Sequence, residues 1–124
     1  MNYEPTPIPE PQPPLTQQEH VFRRSLDAYL DAAIPHGNVS VAMLCIALGT
    51  SATPLQRMVR RVTGMTVTAY VAHRRLDLAY RLVTTTSLPL SDVASACGFN
   101  SFSYFSTSFR NGLGILPTRL RHKA

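Results

Sequence analysis

The stretch Cys45-Ile-Ala-Leu-Gly49-Thr-Ser-Ala-Thr-Pro-Leu55-Gln-Arg-Met-Val59-Arg-Arg-Val-Thr-Gly64 decides the fold, because its spacing returns 50 residues later. The second copy reads Ala94-Ser-Ala-Cys-Gly98-Phe-Asn-Ser-Phe-Ser-Tyr-Phe105-Ser-Thr-Ser-Phe109-Arg-Asn-Gly-Leu-Gly114. Each copy has a small residue, a glycine four on, an apolar pair four apart, and a closing glycine. The small side chain lets two helices approach closely, and the glycine accepts the positive φ of the turn between them. Each copy therefore reads as a helix-turn-helix. Ala94 stands 49 after Cys45 while Phe105 stands 50 after Leu55, so the second turn is one residue longer. Two such units on one chain can set two helices into successive major grooves of one duplex.

The flanking sequence supplies the other helices. Thr16-Gln-Gln-Glu19 is a capping-box pattern, and Phe22, Leu26, Tyr29, Leu30 and Ala33 follow on one helical face until Pro35 and Gly37 end it. A helix over about 40–48 leads through Gly49-Thr50-Ser51 into one over about 52–63. Ser51 is its expected N-cap, Pro54 is tolerated in its first turn, and Gly64 closes it. The longest helix is predicted over about 66–85, with Val71, Leu78, Ala79 and Leu82 on one face and Tyr70, Leu76 and Val83 flanking. Pro89 breaks the chain, a helix begins at Leu90 or Ser91 and ends at Cys97, and an aromatic-rich helix runs over about 101–112. Pro117 opens a last basic turn, Thr118 to His122. The expected architecture is all-α, about seven helices. A first lobe covers about 16–65, a connecting helix about 66–86, and a second lobe about 87–124. Residues 1–15 hold six prolines and almost no apolar content, which predicts an extended, mobile tail.

Charge is distributed unevenly. From Ser51 onward ten Lys/Arg face two acids, Asp77 and Asp92, a net +8, whereas the other five acids lie between Glu4 and Asp31. A basic body of this kind fits a polyanion, and the repeated helix-turn-helix selects double-stranded DNA. A signal peptide is not expected, since the N-terminus is acidic and proline-rich, and the longest apolar run, Val41 to Leu48, is too short to span a bilayer. The expected compartment is the cytoplasm, with the protein on the nucleoid. Cys45 and Cys97 read as reduced, packed small hydrophobes, and neither has Cys or His partners at metal-ligand spacing. The four histidines read as isolated surface residues. No nucleophile, acid–base pair or phosphate loop stands in a recognisable spacing, so neither an enzyme nor a bound cofactor is expected.

In a helix-turn-helix the second helix presents its N-terminal residues to base edges. In the first unit those are Thr53, Gln56 and Arg57. Gln56 can pair bidentately with adenine and Arg57 with guanine, while Thr53 offers a methyl to thymine. In the second unit the matching residues are Phe102, Ser103, Ser106 and Thr107. Hydroxyls discriminate less, so this half is expected to hold the backbone and read sequence weakly. Candidate backbone contacts are Ser51, Arg60, Arg61, Asn100, Ser101, Arg110, Arg119, Arg121 and Lys123. Arg74 and Arg75 lie on the connecting helix, where either can bridge within the protein to Asp77 or Asp92.

Several of these segments together resemble the DNA-binding domain of AraC/XylS-type bacterial transcription regulators. The resemblance is carried by Arg75-Leu76-x2-Ala79-x2-Leu82-Val83, by Leu90-Ser-Asp-Val93-Ala94-x2-Cys97-Gly98-Phe99-x-Ser101-x2-Tyr104-Phe105-x3-Phe109-Arg110, and by Gly114-Ile-Leu-Pro117-x2-Leu120-Arg121. In the first unit Ser51-x3-Leu55-Gln56-Arg57 and Gly64-Met65-Thr66 agree as well, so the likeness spans about residues 39–121. It implies two lobes on one rigid helix, binding as a unit to tandem major grooves, and RNA polymerase contact in members that activate. Three positions depart from the pattern: Val59 where Phe is usual, Thr53 where a larger reader is common, and Thr107 where Arg is frequent. Many members carry a separate sensory and dimerising domain, for which the proline-rich tail is expected to leave no room. It reads as either a stand-alone regulator or a DNA-binding part of a larger protein, with no small-molecule effector expected and a monomer on an asymmetric site. The rival from another class is a helical protein-interaction module that keeps the fold with little DNA affinity. Steep salt dependence of binding separates the two.

Overall fold

The computed structural model describes residues 13–123. Among them are seven α-helices and one 3-10 turn, with no strand. They are α1 (Gln17–Ala33), the 3-10 turn Ile34–His36, α2 (Val41–Leu48), α3 (Ala52–Thr63), α4 (Val67–Thr85), α5 (Leu90–Ala96), α6 (Phe102–Leu113) and α7 (Pro117–Lys123). Residues 1–12 of the expected tail lie outside the described residues. Its end is engaged, since Arg61 Nη2 donates to the Pro13 carbonyl at 3.0 Å.

Local chemistry places most helix ends. The capping box of α1 is formed in both directions: Glu19 N–H donates to Thr16 Oγ1 at 3.1 Å and Thr16 N–H to Glu19 Oε1 at 2.9 Å. Pro35, which lacks an N–H, tightens the end of α1 into the 3-10 turn, and Gly37 leaves it at φ 115°. The two helix-turn-helix units superpose in their bonding. Thr50 N–H closes back on the Cys45 carbonyl at 3.1 Å, and Phe99 N–H closes back on the Ala94 carbonyl at 3.0 Å. That equivalence makes Asn100 the extra residue of the longer second turn, inserted between Phe99 and the cap Ser101.

Two separate apolar clusters form, one per lobe. Leu26, Leu30 and Ile34 from the α1 segment, Leu44, Leu55, Val59 and, from α4, Val67, Tyr70 and Val71 build the first. Ala79, Val83, Val93, Ala94, Cys97, Phe105 and Phe109 build the second. Val59 is fully buried although Phe109 occupies the matching place in the second lobe. The first core also takes Leu26 and Leu30 from α1 and the Tyr70 ring from α4.

The single stripe expected on α4 is corrected. Tyr70 and Val83, read as flanking, are buried at 3% and 1% exposure, while Leu78 and Leu82 are only half-buried. The helix serves two cores on different faces: Val67, Tyr70 and Val71 point to one and Ala79 and Val83 to the other. At 3.6 residues per turn these faces lie roughly 100–150° apart around the axis. Leu78 alone of the α4 side chains packs against both.

Candidate nucleic-acid interface

The buried stripe of α3, Leu55, Val59 and Val62, leaves Thr53, Gln56, Arg57 and Arg60 on its opposite, exposed face. None of the four makes a side-chain hydrogen bond or ion pair with the described residues. The three ion pairs found there belong to Arg23, Arg61 and Arg74. Gln56 and Arg60 border a groove of about 310 Å³ that continues over Thr66 and Thr68 at the start of α4. Donors that stay solvated and unpaired on one helix face are available to base edges and phosphates.

On α6 the buried pair Phe105 and Phe109 turns Phe102, Ser103, Thr107 and Arg110 outward, and Ser106 is half-buried. Phe102 is divided between the two environments. Its ring packs on Phe105 with centroids 5.8 Å apart, yet it is 45% exposed, enough to meet an apolar ligand group. Ser101 Oγ accepts from Tyr104 N–H at 3.1 Å, which caps α6 and leaves the hydroxyl proton free to donate.

Ser51 does not behave as expected. It occupies the N-cap position of α3, but its side chain makes no capping hydrogen bond. The residue three on is Pro54, whose nitrogen carries no proton to give, so the usual N3 partner is missing.

Two arginines expected at phosphates are engaged inside the protein. Arg61 Nε donates to Glu19 Oε2 at 2.9 Å. A backbone hydrogen bond from Thr16 and then Arg61 itself hold the Glu19 carboxyl below the ordinary carboxylate range. Arg121 donates to the carbonyls of Leu88 and Val83, the latter at 3.3 Å, so it secures the end of α4. Arg119 and Lys123 remain exposed on α7, which is anchored by buried Pro117.

The connecting helix also departs from expectation. Neither Arg74 nor Arg75 pairs with Asp77 or Asp92. Arg74 reaches Asp31 on α1. Arg75 reaches three carbonyls, Ile34 at 2.8 Å, Cys97 at 2.6 Å and Gly37 at 2.5 Å, and its guanidinium carbon lies 5.9 Å from the centre of the Phe99 ring. Burial lowers its pKa from the ordinary arginine value, and pushes the neighbouring Cys97 thiol up to about 11. That thiol is therefore protonated and unreactive near neutral pH.

One exposed group went unread in the sequence. Tyr104 is 65% exposed on α6, beside Phe99, and borders a groove of about 340 Å³ between the lobes with Asn38, Asn100 and Ser108. Its signal was an aromatic residue standing off the Phe105/Phe109 stripe.

Comparison with known proteins agrees with this geometry. A family model described as a helix-turn-helix domain matches residues 44–123. The probable transcriptional regulator LumQ of Photobacterium leiognathi is 36% identical over 94 residues, covering 76% of this chain. The chain spans 38% of that protein's length. A transcriptional regulator with an AraC-type DNA-binding domain from Chromobacterium violaceum superposes with a TM-score of 0.76 at 25% identity, covering 87% of this chain and 96% of the other. The DNA-binding domain of AdpA, a global transcriptional factor solved in complex with a target DNA, superposes with a TM-score of 0.72 at 25% identity, covering 82% and 90%.

Proposed function

Because the chain belongs to the family of AraC-type helix-turn-helix DNA-binding domains, we propose that it reads one asymmetric DNA site through two adjacent major grooves and regulates transcription there. The observation that carries this reading is the unpaired polar face of α3, repeated at a 50-residue offset on α6. Thr53, Gln56 and Arg57 are the base readers of the first lobe. Phe102, Ser103, Ser106 and Thr107 face the second groove, where hydroxyls hold more than they discriminate. Arg60, Arg110, Arg119 and Lys123 meet phosphates, with Ser51, Asn100 and Ser101 adding neutral donors at the two helix starts.

The unlike reading faces support a monomer on a site without two-fold symmetry. Where it activates, RNA polymerase is its protein partner, and the cytoplasm of a bacterial cell is its compartment. No small-molecule effector enters this mechanism. Among the described residues no helix is long and apolar enough to cross a membrane.

Selection from random-sequence DNA at low and physiological salt tests the proposal. The wild type is expected to enrich a motif, and Arg57→Ala to relax it at one base pair by about 1–3 kcal/mol. Arg110→Ala is expected to weaken all sequences alike and to lower the slope of log K against log salt by about 1. Salt-sensitive binding with no enriched motif would leave a non-specific DNA binder. Absence of binding at low salt would favour a protein-interaction module.

A further inference from the structure

We infer that Arg75 is the positioning residue that sets the separation of the two reading helices, and thereby the spacing between half-sites that this protein accepts. The inference rests on the two-groove reading above and extends it to specificity. The two lobes have separate cores, and apart from α4 they meet where the 3-10 turn of the first lobe approaches the end of α5. That seam is made of backbone. A Cβ on Gly98 would lie 2.2 Å from the Ile34 carbonyl oxygen and 2.9 Å from the Gly37 nitrogen.

Into this seam α4 sends one side chain. Arg75 donates to Ile34 and Gly37 of the first lobe and to Cys97 of the second, so one guanidinium ties both lobes to the helix between them. The three acceptors are carbonyls at or just past helix ends, and the Ile34 carbonyl accepts from Arg75 in addition to the Gly37 N–H at 3.1 Å. A planar fork of donors can serve several such acceptors at once, and a lysine ammonium at the same place cannot reproduce the fork. Hinging of one lobe against the other would pull these bonds apart together.

Spacing is what such a clamp would govern. Major grooves on one face of DNA recur about every 10–10.5 base pairs, or 34–36 Å. One inserted base pair therefore moves the second groove by roughly 3.4 Å and turns it by roughly 35°. A stiff pair of lobes rejects that change, whereas a loosely joined pair follows it.

Two measurements test this. In the first, the site enriched by the wild type is rebuilt with one or two base pairs inserted between its halves, and Kd is measured for wild type, Arg75→Ala and Arg75→Lys. The wild type is expected to lose about tenfold or more per inserted base pair, and both variants to lose several-fold less, with affinity for an isolated half-site unchanged. A folded variant that keeps the wild-type spacing penalty would overturn the clamp and leave the DNA reading intact. The second measurement needs no DNA. Spin labels on Ala52→Cys and Asn111→Cys, in a Cys45→Ser background, report the distance between α3 and α6. A narrow distribution that broadens in Arg75→Lys supports the clamp, and an unchanged one overturns it. Loss of helical signal in both Arg75 variants would make Arg75 a folding residue and also overturn it. A wild type that enriches no site would defeat the two-groove reading alone, since the label distances still decide the clamp.

Discussion

Phe105→Ala is expected to melt the second lobe at a lower denaturant concentration than the first. Phe105 is fully buried, and its ring centre lies 5.2 Å from Phe99, 5.8 Å from Phe102 and 5.7 Å from Phe109. Truncating a buried phenylalanine removes its transfer free energy and leaves a cavity, together about 3–5 kcal/mol. Whole domains are stable by only about 5–15 kcal/mol, so a lobe with a seven-residue buried core has little to spare. The first cluster shares no fully buried side chain with the second, and α1 closes it independently. Amide exchange or dispersion of NMR signals, followed lobe by lobe in urea, checks this. Simultaneous loss of both sets of signals would mean that the lobes unfold as one unit, with the seam as strong as either core. A Leu55→Ala variant is the mirror experiment, expected to cost about 2–5 kcal/mol and to act first on the other lobe.

Gly98→Ala is expected to destabilise by about 2–5 kcal/mol, against about 1–2 kcal/mol for Gly64→Ala. Both glycines sit in the left-handed region, at φ 80° and 75°. A side chain there costs about 1–2 kcal/mol from local sterics alone. At Gly64 nothing lies within 4 Å of the added carbon, so that strain is the whole effect. At Gly98 the added carbon meets backbone of the other lobe and the Arg75 guanidinium at 2.4 Å. Backbone cannot swing aside as a side chain does, so the seam must open, at a further cost of about 1–3 kcal/mol typical of overpacking. Thermal or urea melts of the two variants in parallel give the difference. Equal effects would show that the seam yields freely.

The Pro54 effect on Ser51 was readable in the chain, since a proline three residues past a cap removes the amide the cap would bind. The Arg61 engagement was not. Arg57, Arg60 and Arg61 follow one another on α3, and nothing in their neighbours separates the two that stay exposed from the one that pairs with Glu19, 42 residues away. Arg75 and Arg121 repeat the lesson, finding carbonyls 22 to 41 and 33 to 39 residues distant.

What the sequence determined by itself was the doubled helix-turn-helix, most helix ends, and the face that α3 and α6 turn outward. These follow from capping, turn glycines and a 3.6-residue period, all of which act between near neighbours in the chain. Only the tertiary structure decided which arginines are engaged within the protein and which stay exposed, how α4 shares its faces between two cores, and what joins the lobes. An arginine stem is long and its guanidinium accepts any correctly placed carbonyl or carboxylate, so its partner is set by where distant helix ends come together.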